Sequence, residues 1–221
     1  MAHSAKRCHY PHPGAGTTGC MRPCADVNDR ARCCCIPGSR PGASAGLPLD
    51  CSVVPPDDAD QVAGRGVPIA LAIGDNRDRR RAEKWVRGTG RSLARLVHPR
   101  AEVSPSARLG DGCVVNAGCV VWTQSTLGTG VLMSPGSMVS HGSHIGDFTF
   151  LSMASRIGSG TDVGPGVLVG MSATVMTGVR SVGDGAILGA GAVVIGDVDD
   201  SDVVAGVPAR VLRRGSVWGH A

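Results

Sequence analysis

From Val103 to Val175 every sixth residue is aliphatic: Val103, Leu109, Val115, Val121, Leu127, Met133, Val139, Ile145, Leu151, Ile157, Val163, Val169 and Val175. Neither the 3.6-residue turn of a helix nor the two-residue alternation of an open strand repeats at six. Six is three strand alternations, so the chain must turn a corner once per hexad. Short strands separated by corners, each sending one aliphatic side chain inward, stack coil on coil into a parallel β-helix. The expected fold is mainly β: a parallel β-helix of hexapeptide repeats preceded by a partial α/β (Rossmann-like) segment.

The other hexad positions agree. In Ala107-Arg108-Leu109-Gly110-Asp111-Gly112 and Ser155-Arg156-Ile157-Gly158-Ser159-Gly160 a small residue follows the aliphatic one. Corners demand unusual dihedrals and close backbone approach, which Gly, Asn and Asp tolerate. The 33 glycines and the 3% aromatic content suit a narrow core filled by small side chains. After Val175 the period resumes at Val182, Leu188 and Val194, one residue late, so Thr177–Ser181 should bulge at one corner.

Four segments follow: 1–46 irregular, 47–98 a partial α/β substrate-binding domain, 99–198 the β-helix, and 199–221 a C-terminal tail. Residues 1–46 are rich in Gly, Pro, Cys, Arg and Ser. They hold six of the seven cysteines that precede residue 52, at spacings that fit no standard zinc module. Gly14-Ala15-Gly16-Thr17-Thr18-Gly19 has the glycine spacing of a dinucleotide fingerprint. It lacks the preceding strand and following helix that such a site needs, and reads as coincidence. In 47–98, Val67–Ile73 reads as a strand and Arg77–Arg87 as a helix. Ala82, Trp85 and Val86 would form the helix's apolar side and Gly88 its stop, with Ser92–Val97 extended after it. The net charge of +4 gives no expectation of a nucleic-acid partner. No run reaches the roughly eighteen apolar residues that span a bilayer. Prolines, not an apolar run, follow Met1–Tyr10, so no signal peptide is expected. A cytoplasmic protein without membrane insertion is the expectation.

The repeat is similar to that of the hexapeptide-repeat acyltransferases, whose β-helix is left-handed. Leu96-Val97-His98-Pro99, His141 with Ile145-Gly146-Asp147-Phe148, and Gly206-Val207-Pro208-Ala209-Arg210 narrow the likeness. With Ala72-Ile73-Gly74-Asp75-Asn76 they resemble the sialic acid O-acetyltransferases and bacillosamine-pathway sugar N-acetyltransferases. The likeness extends from about Ile69 to Leu212. It implies a homotrimer that transfers acetyl from acetyl-CoA, as co-substrate, to an amino or hydroxyl group of a sugar or nucleotide-sugar acceptor. No metal is expected.

The resemblance makes His141 the general base at the trimer interface. An attacking amine or hydroxyl must lose a proton, and an imidazole titrates in the range to take it. The likeness further implies that Phe150, Met171, Ala190, Pro208 and Arg210 bind the acyl-CoA, and that Asp50, Gly74, Asn76 and Ser134 bind the acceptor. There are departures. Gly142 stands where the family often carries an acidic residue after the base, and Ser140 where another often precedes it. Phe150 replaces a second histidine found in some members, and Ser134 an asparagine. Residues 1–46 have no counterpart to the family's Gly-Gly-His loop. Two alternatives stand beside this reading: a catalytically weakened trimeric scaffold, and a metalloenzyme like the γ-type carbonic anhydrases. The second needs three converging histidines, and the repeats offer His141 and His144.

Overall fold

The computed structural model describes residues 68–215, together with the backbone of Cys34–Cys35 and Ser52–Val53, which pair in parallel. The other cysteines before residue 52, the glycine fingerprint and Asp50 lie outside the described residues.

Two-residue strands recur at each hexad and close a three-sided parallel solenoid of about six turns. The first face stacks Glu102–Val103, Val120–Val121, Met138–Val139, Arg156–Ile157, Thr174–Val175 and Val193–Val194. The second stacks Arg108–Leu109, Thr126–Leu127, His144–Ile145, Asp162–Val163 and Ser181–Val182. The third runs from Leu96–Val97 up to Val203–Ala205. The solenoid therefore begins before residue 99, one hexad ahead of Val103, and ends later than residue 198. Leu96–Val97 pairs with Val114–Val115, and Val203–Ala205 pairs with Ile187–Leu188. Arg210–Arg213 then returns antiparallel along that last strand.

The aliphatic residue of each hexad is the core. Val121, Leu127, Met133, Val139, Ile145, Leu151 and Ile157 are almost wholly buried. Two residues before each stands a small second inward residue: Ser125, Ser137, Ser143, Thr149, Ser155 and Thr161 among them, all fully buried. A buried hydroxyl is costly unless bonded, and every one of these donates to a main-chain carbonyl. Ser143 reaches Gly158 O and Thr149 reaches Gly164 O, both at 2.8 Å. The coil length is eighteen residues, as in Val121 opposite Val139 and Val139 opposite Ile157. It becomes nineteen where Val175 meets Val194. The extra residue is the expected bulge. Asp197 closes it, accepting from Arg180 N at 2.8 Å and from the Arg180 guanidinium at 2.9 Å.

Corners carry left-handed backbone. Gly118, Gly136, Gly142, Gly160 and Gly166 have φ near +65 to +72°, and Gln124, Phe148, Ala154 and Ser172 take the same region. A second use of glycine is close approach. Gly110, Gly128, Gly146, Gly164 and Gly183 stand in one column after the second face. A Cβ on Gly146 would collide with the backbone of Gly164 and Pro165 in the next coil.

Before the solenoid, Ile69 bridges Leu93 in parallel across helix α1 (Asn76–Gly88). Asp75 caps the helix, accepting from Arg77 N and Asp78 N at 2.9 Å. The buried stripe is Arg79, Glu83 and Val86, not the expected Ala82, Trp85 and Val86; Ala82 and Trp85 are half-buried. The reason is what the helix meets. It packs on solenoid corners, which present main-chain carbonyls. Arg79, 0% exposed, donates to Gly130 O at 2.8 Å, Phe148 O at 2.7 Å, Ile73 O at 2.8 Å and Gly74 O at 3.1 Å. It also donates to Asn76 Oδ1 at 2.8 Å. Burial pulls its guanidinium down to about 10, partly opposed by the charge of Asp75. Arg79 therefore remains a cation at neutral pH.

Gly146→Ala should destabilise the protein by about 1–3 kcal/mol, since backbone rather than a movable side chain is in the way. Urea unfolding of both proteins measures it, and Gly142→Ala, with open space around its Cβ, should cost less. Arg79→Met should cost about 2–3 kcal/mol or more by leaving buried carbonyls without donors. The same titration reads it, and Arg79→Lys should recover only part of the loss.

Candidate functional site

His141 lies at the corner between the first and second faces, immediately after Met138–Val139 and Ser140, and its side chain is exposed. The coil ladder fixes its backbone: Gly160 N donates to His141 O at 3.0 Å, and Gly142 N donates to Thr123 O at 3.0 Å. The His141 ring makes no hydrogen bond among the described residues. It stacks on Trp122, with centroids 6.2 Å apart and planes inclined by 21°. Gly142 has φ +66° and nothing within 4 Å of a Cβ built there. An acidic residue at that position would have room but would bear left-handed backbone, which glycine adopts without strain.

Met171 and Ala190 share a different corner, between the third and first faces. Gly191 N donates to Met171 O at 2.8 Å, so Ala190 stands directly over Met171, and both are exposed. Phe150 and Ser134 lie on the third face. Phe150 is half-buried between Leu132 and Leu168, and Ser134 N donates to Leu151 O at 2.8 Å. Pro208 and Arg210 are exposed where the chain turns back on its last strand; Arg210 donates to Ala209 O at 3.0 Å. Gly74 is exposed just before α1. Asn76 spends its amide on the solenoid, donating to Gly166 O at 3.0 Å and Val167 O at 3.2 Å.

The fold thus brings Met171 to Ala190, and Ser134 to the coil that holds Phe150. It keeps His141 on the opposite edge of the first face from Met171 and Ala190. His144 begins the next strand, exposed, between Thr126 and Asp162. No group of three His, Cys, Asp or Glu that could hold a metal ion occurs among the described residues. Two cysteines lie within the solenoid, both buried. Burial pushes the Cys113 thiol up to about 11 and raises that of Cys119, so neither is a ready thiolate. An exposed imidazole is the group suited to proton transfer.

Trp122 was not among the residues read from the sequence. The signal was present: it precedes His141 by nineteen residues, one coil plus one position, so the two side chains meet across a corner. The first face also carries exposed Met176 and Ile195 in the column of Trp122. Met153 and Met171 are exposed at its neighbouring edge. No helix among the described residues is long and apolar enough to cross a membrane.

A six-residue ladder of two-residue strands, closed on three faces, defines the hexapeptide-repeat β-helix. No protein-family model matches the sequence, and no curated protein matches it. Solved structures do. PerB from Caulobacter crescentus, in complex with CoA and GDP-perosamine, is 37% identical with a TM-score of 0.66, covering 71% of this chain and 73% of that one. The acetyltransferase domain of PglB from Neisseria gonorrhoeae is 36% identical with a TM-score of 0.64, covering 66% and 70%. A structure of that PglB domain with acetyl coenzyme A is 30% identical, with a TM-score of 0.51 and 84% of each chain covered. The chain belongs to the hexapeptide-repeat, left-handed β-helix acyltransferase family, and within it to the sugar acetyltransferases.

Proposed function

We propose that the protein transfers an acetyl group from acetyl-CoA to an amino or hydroxyl group of a nucleotide-linked sugar, with His141 as general base at the interface of a homotrimer. The observation that carries the reading is the exposed His141 imidazole, free of hydrogen bonds among the described residues, beside an exposed apolar face. The family relationship supports it. PerB is described with CoA and GDP-perosamine bound, and the PglB domain with acetyl coenzyme A.

The chemistry needs no enzyme nucleophile, because the thioester is already activated. The acceptor nitrogen or oxygen attacks the acetyl carbonyl, forming the new C–N or C–O bond while the carbonyl electrons move onto oxygen. His141 takes the acceptor proton. The tetrahedral intermediate collapses, the C–S bond breaks, and the leaving thiolate recovers a proton from the imidazolium. Backbone N–H groups at coil corners are the proposed donors to the oxyanion.

Assembly supplies what one chain cannot. His141 and the Met171–Ala190 column occupy opposite edges of the first face, so a groove containing both requires a second copy. Met176 and Ile195, adjacent in one column of that face, with Trp122 lower in the column and Met153 and Met171 at the opposite edge, expose apolar surface suited to burial between subunits. In this arrangement Phe150, Met171 and Ala190 line the acyl-CoA groove, with Pro208 and Arg210 toward its adenine end. Ser134 and Gly74 belong to the acceptor side, whereas the Asn76 amide is committed to holding α1 on the solenoid. Acetyl-CoA and nucleotide sugars are cytoplasmic metabolites, which fits a cytoplasmic location.

Thiol release from acetyl-CoA, measured against a panel of nucleotide-linked amino sugars, tests the activity. His141→Ala should lower kcat about a hundredfold or more. Undiminished thiol release by that variant would remove His141 from the mechanism, and no release with any acceptor would favour a scaffold. Light scattering should give three chains per particle. Met176→Asp, placing a charge on that apolar surface, should shift the protein toward monomer and lower activity with it.

A further inference from the structure

We infer that Trp122 is the positioning residue for His141, holding the imidazole by its face where no hydrogen-bonding side chain holds it by an edge. The inference rests on the reading of His141 as general base.

An exposed imidazole at a turn can rotate about two side-chain torsions. Proton transfer needs its nitrogen within hydrogen-bond reach of the acceptor, so free rotation dilutes the productive geometry. A hydrogen bond to one ring nitrogen is the usual restraint. None exists for His141 among the described residues: the residues on either side are Ser140 and Gly142, and no side chain bonds either nitrogen. What does touch the ring is Trp122. The separation of 6.2 Å and inclination of 21° lie in the offset-stacked range of aromatic pairs.

The solenoid makes this contact reproducible. Val121 pairs with Val139, and Trp122 N donates to Val139 O at 3.0 Å, so the indole is anchored one coil below the histidine by the same ladder that builds the core. Two consecutive coils thereby set the ring's plane. Stacking differs from an edge restraint in one respect: both imidazole nitrogens stay available. One can take the acceptor's proton while the other exchanges with solvent. Trp122 is itself 49% exposed, so the indole keeps open surface beyond its contact with the imidazole.

The test uses the full-length protein and three variants. Trp122→Leu should lower kcat about tenfold with the KM for acetyl-CoA unchanged, and Trp122→Phe, which keeps an aromatic face, should return kcat to within about threefold of the parent. The two failures are separable. If His141→Ala keeps its activity, the base assignment falls. If His141→Ala is inactive while Trp122→Leu turns over like the parent, the positioning role alone falls. A rise confined to the KM of the sugar acceptor would also overturn it, since Trp122 would then hold substrate. A second measurement does not depend on activity. In 13C-labelled parent protein the His141 Cε1 proton should show an upfield ring-current shift that is absent in Trp122→Leu and retained in Trp122→Phe. An unshifted resonance in the parent contradicts the stacking directly.

Discussion

Main-chain pairing between successive coils is the constraint on which the rest of this molecule depends. Each strand is two residues long, too short to hold a sheet by itself, and gains stability only from the coil above and the coil below. That pairing fixes an eighteen-residue translation between equivalent positions. Whatever stands at one corner therefore stands over, or beside, a residue about eighteen positions away. Glycines such as Gly128 and Gly146 permit the close approach, and buried hydroxyls such as Ser143 and Thr149 tie the corners from inside. The core is thus mainly an aliphatic wall, supplemented by internal hydrogen bonding at the buried serines and threonines, which explains how so few aromatic residues suffice.

The chemistry inherits this geometry. His141 is fixed in the backbone by its neighbours at Thr123 and Gly160 and left exposed in its side chain. The buried thiols of Cys113 and Cys119 are withdrawn from reactivity by the same enclosure that makes the core stable. Most corners carry one left-handed residue, and glycine at 142 adopts that backbone at the least conformational cost. The imidazole consequently has a rigid base and an unobstructed approach.

Period and residue size made the solenoid readable before any coordinates. The aliphatic register marks the stacked short strands, the inward side chain of each hexad and the bulge between Val175 and Val182. It extends one hexad earlier, to Val97, six residues before Val103 and eighteen before its partner Val115, but it does not mark Val203–Ala205, which is placed by pairing with Ile187–Leu188. Helix α1 was legible in extent, but its buried face was not. Apolar moment points to Ala82 and Trp85, whereas the docking surface is made of carbonyl oxygens, and those select Arg79. At the candidate site, likeness alone points to His141, and nothing in the hexad pattern singles out Trp122. A one-coil-plus-one offset becomes meaningful only after the coil length is known. In the proposed trimer His141 meets Met171 and Ala190 through a contact between chains, which no single-chain pattern encodes.

The way α1 is fastened has an implication for how such proteins diversify. Among its bonds to the corners, those of Arg79 and Asn76 end on main-chain oxygens: Gly130, Phe148, Gly166 and Val167. Main-chain oxygens are the same whatever side chain is attached. The side chains displayed at those corners can drift without loosening the helix, and a helix carrying this arginine and asparagine could be transplanted onto the corners of an unrelated solenoid. On the solenoid's side the joint is written in backbone, so only the helix must keep its arginine and asparagine.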